Sequence, residues 1–319
     1  MLQGLPDQDG PAALAAMRAR GEAWLSDAAR LDLATRVDPA PRPAPIPPVS
    51  ARPKKLSVTE IKTLIRDPYA IYARHILRLR ELDPLVGEPD ALLRGTVLHK
   101  VMEDVVRVGL PDDLDDGLAL IRETAARVLE RDVSWRAARA MWHARVMRAA
   151  PWFVSTERTR AAGVTQTALE TKGALTLPSR DFTLTGEADR IDLTSDGRAR
   201  IFDYKTGTPP SDKQQRAFDK QLLLEALMAE RGAFDALGPV PVERAAYIGL
   251  GSTPSERDAP LGESEVWAEF ETLIARMQSP DHGFTARRAM EREADKSPYD
   301  LLSRHGEWSS ADAAVKIRL

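Results

Sequence analysis

Asp189, Asp203 and Lys205 are the residues of this sequence whose types and spacing are best suited to chemistry. Side chains two apart on a strand share a face, so Asp203 and Lys205 point the same way if this stretch is extended. An acid directly opposite Asp203 would repel it by about 0.2 to 1 kcal/mol unless a positive group lay between them. Mg²⁺ prefers carboxylate and phosphate oxygens and would supply that charge. Lys205 would then stabilise charge on a phosphate or help to deprotonate a water molecule.

A β-hairpin is the element that would bring the two acids together. Strand-like runs lie on both sides of residues 195–197, whose sequence Ser-Asp-Gly is a strong turn signal. If these three residues form the loop, with the glycine left-handed, Thr194 pairs with Arg198 and Asp189 falls directly opposite Asp203. A two-residue loop would instead put the acids on opposite faces, because a one-residue slip flips every side chain. The three-residue loop is therefore the arrangement that creates a site.

Five positions, taken in order, resemble the motifs of the RecB-like branch of the PD-(D/E)xK nuclease superfamily. The matching residues are His99 in Arg-Gly-Thr-Val-Leu-His, Asp189 in Gly-Glu-Ala-Asp-Arg-Ile-Asp, Asp203 and Lys205 in Asp-Tyr-Lys-Thr-Gly, and Gln221 in Lys-Gln-Leu-Leu-Leu-Glu-Ala. The resemblance extends over residues 54–308 and is greatest to the C-terminal nuclease domains of AddB-type subunits. Position 225 departs from the pattern, because Glu225 stands where that family usually has tyrosine.

The resemblance implies a fold, an activity and a set of roles. The fold would be α/β, with a restriction-endonuclease-like core, a central mixed sheet flanked by helices, and a helical N-terminal part. The activity would be Mg²⁺-dependent hydrolysis of DNA, with Mn²⁺ as the alternative ion, at double-strand break ends and together with an AddA-like helicase–nuclease subunit. The implied catalytic residues are Asp189, Asp203, Lys205 and Gln221, and the implied metal ligands are His99, Asp189, Asp203 and the carbonyl of Tyr204.

Two other functions remain open at this point. One is a DNA-binding or scaffolding module whose nuclease motifs are inactive, and the other is a standalone exonuclease of the same fold. The sequence contains no Gly-x-x-x-x-Gly-Lys-Ser/Thr phosphate loop, so it indicates no motor activity of its own.

Basic residues interleaved with tyrosines in residues 54–80 are typical of a surface that follows a nucleic-acid strand. An ordinary solvated helix face is the alternative interpretation. The candidate DNA contacts are Lys62, Arg66, Arg74, Arg94 and Arg190. Glu170, on the first strand of the predicted sheet, is interpreted as an exposed strand acid rather than an outer ligand.

Composition limits the other possibilities. The 319 residues carry a net charge of −3 and are 43% hydrophobic, as expected of a globular protein that binds DNA only through local patches. The chain has no cysteine, which excludes disulfides and an iron–sulfur cluster held by thiolates. Where many AddB-like relatives place a cluster cysteine, before Pro68, this chain has Asp67, so we expect ordinary packing to replace the cluster.

The domain organisation is predicted from the prolines. Residues 1–53 read as an N-terminal helix followed by a proline-rich linker, and residues 54–319 as the nuclease domain. The N-terminus resembles no signal peptide, and no apolar run approaches the length of a membrane span. We therefore expect a cytoplasmic protein without a membrane partner.

Overall fold

The computed structural model describes residues 10–33, 37–82, 85, 87–235, 237–262 and 265–319. The helices are α1 (Pro11–Leu31), α2 (Val58–Arg66), α3 (Pro68–Ile71), α4 (Ala91–Val108), α5 (Leu114–Asp132), α6 (Arg136–Ala161), α7 (Asp212–Ala217), α8 (Gln221–Glu230) and α9 (Val266–Gln278). The strands are β1 (Pro43–Ile46), β2 (Lys55–Ser57), β3 (Val164–Leu177), β4 (Phe182–Thr194), β5 (Ala199–Lys205), β6 (Val242–Gly249), β7 (Ser255–Asp258) and β8 (Val315–Arg318).

The chain divides into two compact units, Met1–Ala40 and Pro41–Leu319. The first contains α1, whose position agrees with the helix predicted near the N-terminus. The structure places the division earlier than residue 53, because part of the proline-rich stretch is the strand β1, which pairs in parallel with β8. Ala44 is buried, and the Arg42 side chain donates hydrogen bonds to main-chain carbonyls of the C-terminal segment. Proline is tolerated in this strand because a two-stranded ribbon has free edges.

A mixed six-stranded sheet forms the centre of the second unit. Strand β4 pairs along one whole edge with β3 in the antiparallel direction. On its other edge, β4 pairs with β2 only as far as Thr185 and with β5 only from Arg190 onwards. Strands β5 and β6 are parallel, and β6 and β7 antiparallel. Residues 186–189 of β4 therefore lie where β2 and β5 diverge.

Helices cover both faces of this sheet. Apolar side chains of α4, α5 and α6 pack with Phe202 and Tyr204 of β5 on one face, and Trp142 and Phe153 are fully buried among them. Apolar side chains of α2, α8 and α9 pack with Ile201 on the other face. A strand buried on both faces alternates between two cores, which gives the predicted central sheet flanked by helices. None of the described helices has the length and hydropathy needed to cross a membrane.

Local signals set several helix ends. The sequence Ser-Val-Thr-Glu at residues 57–60 predicts a capping box with a helix from Val58, and α2 begins there. The Glu60 amide donates to the Ser57 hydroxyl at 3.2 Å, and the Ser57 amide donates to the Glu60 carboxylate at 3.0 Å. Apolar residues at helical spacing over residues 91–108, followed by Gly109, predict a helix there. Helix α4 covers these residues and ends at Gly109, which has a φ of +84°.

The apolar pattern of residues 213–231 predicts a single helix, and this prediction is wrong because the chain turns between α7 and α8. Asp219, at the break, accepts hydrogen bonds from Lys62 at 2.6 Å and from the Tyr247 hydroxyl at 3.1 Å. These long-range contacts outweigh a helical pattern that is continuous in the sequence. The break places Gln221 in the first turn of α8, beside the end of β5.

A group of buried polar contacts joins the start of α3 to the C-terminal segment. The Asp67 carboxylate accepts the Arg287 amide at 2.9 Å and the Ser297 hydroxyl at 2.6 Å. The Arg287 side chain is almost fully buried and forms an ion pair with Asp300 at 3.2 Å. Hydrogen bonds and an ion pair therefore add to the apolar packing of Tyr69 and Ile71 in holding this region.

Candidate active site

The β4–β5 hairpin has the three-residue loop that creates the site. Thr194 donates its amide to the Arg198 carbonyl at 2.9 Å, and Gly197 adopts a φ of +78°. Arg190 is paired with Phe202, which is the register that the odd loop requires. The predicted register of the hairpin is confirmed.

Asp189 lies just beyond the last residue pair of β4 with β5, on the stretch of β4 where β2 and β5 diverge. Its Oδ2 accepts the main-chain amide of Tyr204 at 2.8 Å, so the carboxylate takes the place of a strand partner. The same oxygen is 3.3 Å from Nδ1 of His99 on α4. Asp189 therefore connects the end of β5 to α4, and His99 is brought to the site from a different layer of the fold.

Asp203 lies at the centre of a second group of contacts. It is 2% exposed, and its Oδ2 is 2.7 Å from Nζ of Lys205. The side-chain nitrogen Nε2 of Gln221 donates to Asp203 Oδ1 at 2.6 Å, while the side-chain oxygen Oε1 of Gln221 accepts from Lys205 at 3.2 Å. Gln221 therefore bridges the acid and the lysine, with each end of its amide in a defined position.

Burial and neighbouring charge shift the ionisation of these groups. Burial raises the pKa of Asp203 to about 6, and the nearby Asp189 carboxylate adds to this rise while Lys205 opposes it. Burial disfavours charge on Lys205 and His99, but the Asp203 carboxylate raises the pKa of Lys205, and the hydrogen bond that His99 donates to the Asp189 carboxylate raises the pKa of His99. The site thus concentrates negative charge and favours positive groups, which are the conditions that suit a bound cation.

The pH dependence of stability should report the burial of Asp203. The pKa of this carboxyl in the folded state, about 6, lies above its ordinary value of 3.8, so the folded protein keeps a proton that the unfolded chain releases. We expect the metal-free protein to lose up to about 3 kcal/mol of unfolding free energy, relative to Asp203→Asn, as the pH rises from about 4 to about 6. Urea unfolding of both proteins between pH 4 and 7 measures this difference. A relative gain by the wild type across this range would contradict it.

Glu225 lies behind the site, one turn after Gln221. It is 1% exposed, and its Oε1 accepts from the Gln221 amide nitrogen at 3.2 Å. Burial, together with the charge of Asp203, raises the pKa of Glu225 well above the ordinary value. Glu225, which stands where the resembled family usually has tyrosine, therefore gives the Gln221 side chain a polar partner.

Glu170, which the sequence favours as an exposed strand acid over an outer ligand, lies beside the candidate site. It is partly exposed, as expected of a strand acid, yet its carboxylate lies with His99 and Asp189, and one ligand atom from each falls within 4.8 Å of the others. The antiparallel register of β3 against β4 was the signal that could have found it. Leu169 pairs with Arg190, which places Glu170 beside Asp189.

The main chain and the side chain of Tyr204 contact different neighbours. Its main-chain amide binds Asp189, while its ring is buried on the α4–α6 face and its hydroxyl accepts a hydrogen bond from Arg190 at 3.4 Å. The carbonyl of Tyr204 as a metal ligand stays a prediction.

The prediction that Arg190 contacts DNA is contradicted by its burial. Arg190 is 2% exposed, and its guanidinium is held by Glu157 at 2.6 Å and by Asp192 at 2.6 Å. Asp192 is fully buried. Arg190 therefore belongs to an internal ion-pair network behind the sheet and presents no free donor to a phosphate.

Lys62, Arg66 and Arg74 line one groove of about 760 Å³ between α2, α3 and the C-terminal segment. All three have acidic neighbours, which are Asp219, Asp295 and Glu60 respectively. Arg94 is partly buried on the first turns of α4 and does not line this groove. Whether these four residues contact DNA stays a prediction.

A comparison with known protein families identifies the superfamily of this chain. The model of the PD-(D/E)XK nuclease superfamily matches residues 55–304, and the chain belongs to that superfamily. Its mixed sheet with flanking helices is the restriction-endonuclease-like fold of that superfamily, and a nuclease follows as the class of protein.

Proteins from two genera illustrate the similarity. The chain is 30% identical over 186 residues to an uncharacterized protein of Rickettsia bellii and 33% identical over 193 residues to one of Rickettsia conorii, in each case over 57% of this chain. It spans only 22% and 23% of the length of those relatives. A crystal structure of a candidate exonuclease from Eubacterium rectale aligns with a TM-score of 0.42 and 12% identity, over 79% of this chain and 94% of that one.

Proposed function

We propose that this protein is a Mg²⁺-dependent deoxyribonuclease that processes double-strand break ends as an exonuclease. The observation that carries the proposal is the convergence of residues from α4, β4, β5 and α8 on one centre. Asp189 and Asp203, with Lys205 and Gln221 beside the second acid, form the type of site in which a phosphodiester can be held and its developing charge stabilised. An inactive scaffold would not need to keep this set of contacts.

The donor set fits a divalent cation. His99 and Asp189 would hold it, together with Asp203 and the carbonyl of Tyr204, since carboxylate oxygens suit Mg²⁺ and an imidazole suits Mn²⁺. Burial and the nearby Asp189 carboxylate raise the pKa of the Asp203 carboxyl even with Lys205 beside it, so a bound cation would favour its charged form. A bound cation supplies Lewis acidity toward the phosphate and lowers the pKa of water.

Groups of the protein itself would supply the remaining catalytic interactions. Lys205 keeps its proton, because Asp203 raises its pKa, and can donate to a phosphate oxygen as negative charge develops there. Gln221 holds Lys205 and Asp203 in fixed relative positions through both ends of its amide. Tyr204 fixes Asp189 through its main-chain amide. A preorganised site of this type stabilises the transition state without rearranging during the reaction.

A cleavage assay tests the proposal. Linear single-stranded and duplex DNA, labelled at either end, and circular single-stranded DNA are incubated with the protein in Mg²⁺, in Mn²⁺ or in EDTA. The proposal expects linear DNA to be degraded from an end with either cation, and circles and EDTA reactions to stay intact. Cutting of circles would overturn exonuclease action, and cleavage in EDTA would overturn metal dependence.

The repair role and the partner form a separate part of the proposal. The similarity of the motif set to AddB-type nuclease domains supports an AddA-like helicase–nuclease subunit as the partner. Co-expression with such a subunit, followed by ATP-dependent degradation of duplex ends, tests it. An equal rate with and without the subunit and ATP would leave the nuclease in place and overturn the complex.

The groove beside α2 is the path that we propose for the DNA strand. Arg80 and Lys296 are exposed in its wall, and among the described residues no acid lies within ion-pairing distance of either. Tyr299 also lines this groove. Unpaired cations with an aromatic side chain are suited to a single strand, because phosphates are neutralised and bases stack.

The double variant Arg80→Ala/Lys296→Ala is expected to weaken single-stranded DNA binding. Because two phosphate contacts are lost, the slope of log K against log salt should fall in magnitude by about 1.4. Fluorescence anisotropy in EDTA between 50 and 300 mM salt, about the range over which such slopes are resolved, gives the slope. The control is Arg122→Ala/Arg180→Ala, which removes two exposed cations that do not line the groove. Equal slopes in the two variants would rule out this path.

A further inference from the structure

Glu170 has a backbone conformation that is unusual inside a strand. Its φ is +47°, in the left-handed region, although it lies in the middle of β3. Its neighbours keep the ladder, since Leu169 pairs with Arg190 and Thr171 with Ala188. A left-handed residue other than glycine is disfavoured, and such residues persist where the surrounding structure imposes them. The local distortion changes the direction of one side chain without breaking the sheet.

That side chain is turned toward two other candidate ligands. One ligand atom each from Glu170, His99 and Asp189 lies within 4.8 Å of the other two, and the three residues come from three elements, β3, α4 and β4. Among the described residues, no lysine or arginine forms an ion pair with Glu170.

We propose that Glu170 is a direct ligand of the divalent cation, together with His99 and Asp189. The proposal rests on the proposed function, in which this centre takes such a cation. It adds Glu170 to the ligands of the proposed function, among which Asp203 is the one that also contacts Lys205 and Gln221. The imidazole of His99 suits Mn²⁺ better than an all-oxygen set would, so we expect Mn²⁺ to bind more tightly than Mg²⁺.

Cation binding to the metal-free protein tests the assignment without using activity. Isothermal titration calorimetry with Mn²⁺, checked by the electron paramagnetic resonance signal of free Mn²⁺, gives the affinity. Glu170→Gln is expected to lower it about 10- to 100-fold, at least the loss seen when a ligand's supporting contact is removed. The matched control is Glu187→Gln on β4, which removes the same charge from an exposed acid whose neighbour is Lys172 at 3.7 Å. That variant should stay within about threefold of the wild type, because solvent and salt screen its charge.

A second variant separates ligation from folding. Glu170→Gly relieves the left-handed strain, because glycine adopts positive φ without a steric penalty. We expect its melting temperature in EDTA to be no lower than that of Glu170→Gln, and its Mn²⁺ affinity to fall as in Glu170→Gln. Wild-type affinity in both folded variants would overturn the proposal.

The outcomes also separate this proposal from the function that it rests on. Loss of Mn²⁺ affinity in the Glu170 variants, with no DNA cleavage by the wild type, would support the ligand and overturn the nuclease function. A wild type that cleaves DNA and binds Mn²⁺ independently of Glu170 would support the nuclease and overturn the ligand. A wild type that binds no Mn²⁺ or Mg²⁺ would overturn both.

Discussion

Asp203→Asn is expected to lower the rate of DNA cleavage on the order of 10³-fold while the protein stays folded. The substitution keeps the shape of the side chain but removes the charge that faces Lys205 at 2.7 Å and would attract a cation. Because burial makes the charged form of Asp203 costly, the metal-free variant should be at least as stable as the wild type near pH 8. Single-turnover cleavage and thermal unfolding in EDTA measure the two effects.

Lys205→Met provides the partner experiment. Removing the ammonium group should cost about 10²- to 10³-fold in rate, and the double variant should lose much less than the product of the two single losses, because the groups act together. Glu187→Gln, an exposed acid on β4, is the control and should retain activity. Cleavage by Asp203→Asn at more than about a tenth of the wild-type rate would place the chemistry elsewhere in the protein.

Arg190→Met is expected to destabilise the protein by about 3 to 5 kcal/mol, because it leaves buried carboxylates without their cation. Glu157 and Asp192 both lie within 2.6 Å of the guanidinium, and Asp192 has no exposure to solvent with which to compensate. Urea unfolding gives the loss, with the exposed Arg198→Met as the control, for which we expect less than about 0.5 kcal/mol.

DNA binding separates the two interpretations of Arg190. If its role is internal, the folded fraction of Arg190→Met should bind single-stranded DNA as tightly as the wild type does at a temperature well below unfolding. Wild-type stability combined with weaker DNA binding would restore the interpretation that the sequence suggested and contradict the network.

Local chemistry in the sequence was sufficient to predict the hairpin and the first turn of α2. The Ser-Asp-Gly loop fixes its own register, because its glycine adopts the left-handed conformation, and one residue of slip would reverse every side chain. Ser57 and Glu60 form a capping box that is complete within four residues. These elements were predictable because the interactions that determine them are short-range.

Burial on both faces of a strand could not be predicted in the same way. Arg190 alternates with apolar residues as an exposed charge would, and only the position of α6 over this face supplies Glu157 to bind it. The break before α8 has a similar origin, since Asp219 is held by Tyr247 on β6. To predict where the Glu170 side chain lies, one would need both the β3–β4 register and the left-handed backbone angle of this residue. No propensity indicates such an angle for glutamate.

The pairing of β1 with β8 has a consequence for how the second unit is completed. These strands lie at opposite ends of that unit, with Pro43 beside Val315, so their ladder joins segments separated by almost its whole length. Pairing at such a separation closes a very long loop and is intrinsically slow. During synthesis, Pro43–Ile46 must wait for Val315–Arg318 to leave the ribosome. The ribbon is thus a late event in assembly, and it can form only in chains that contain both strands.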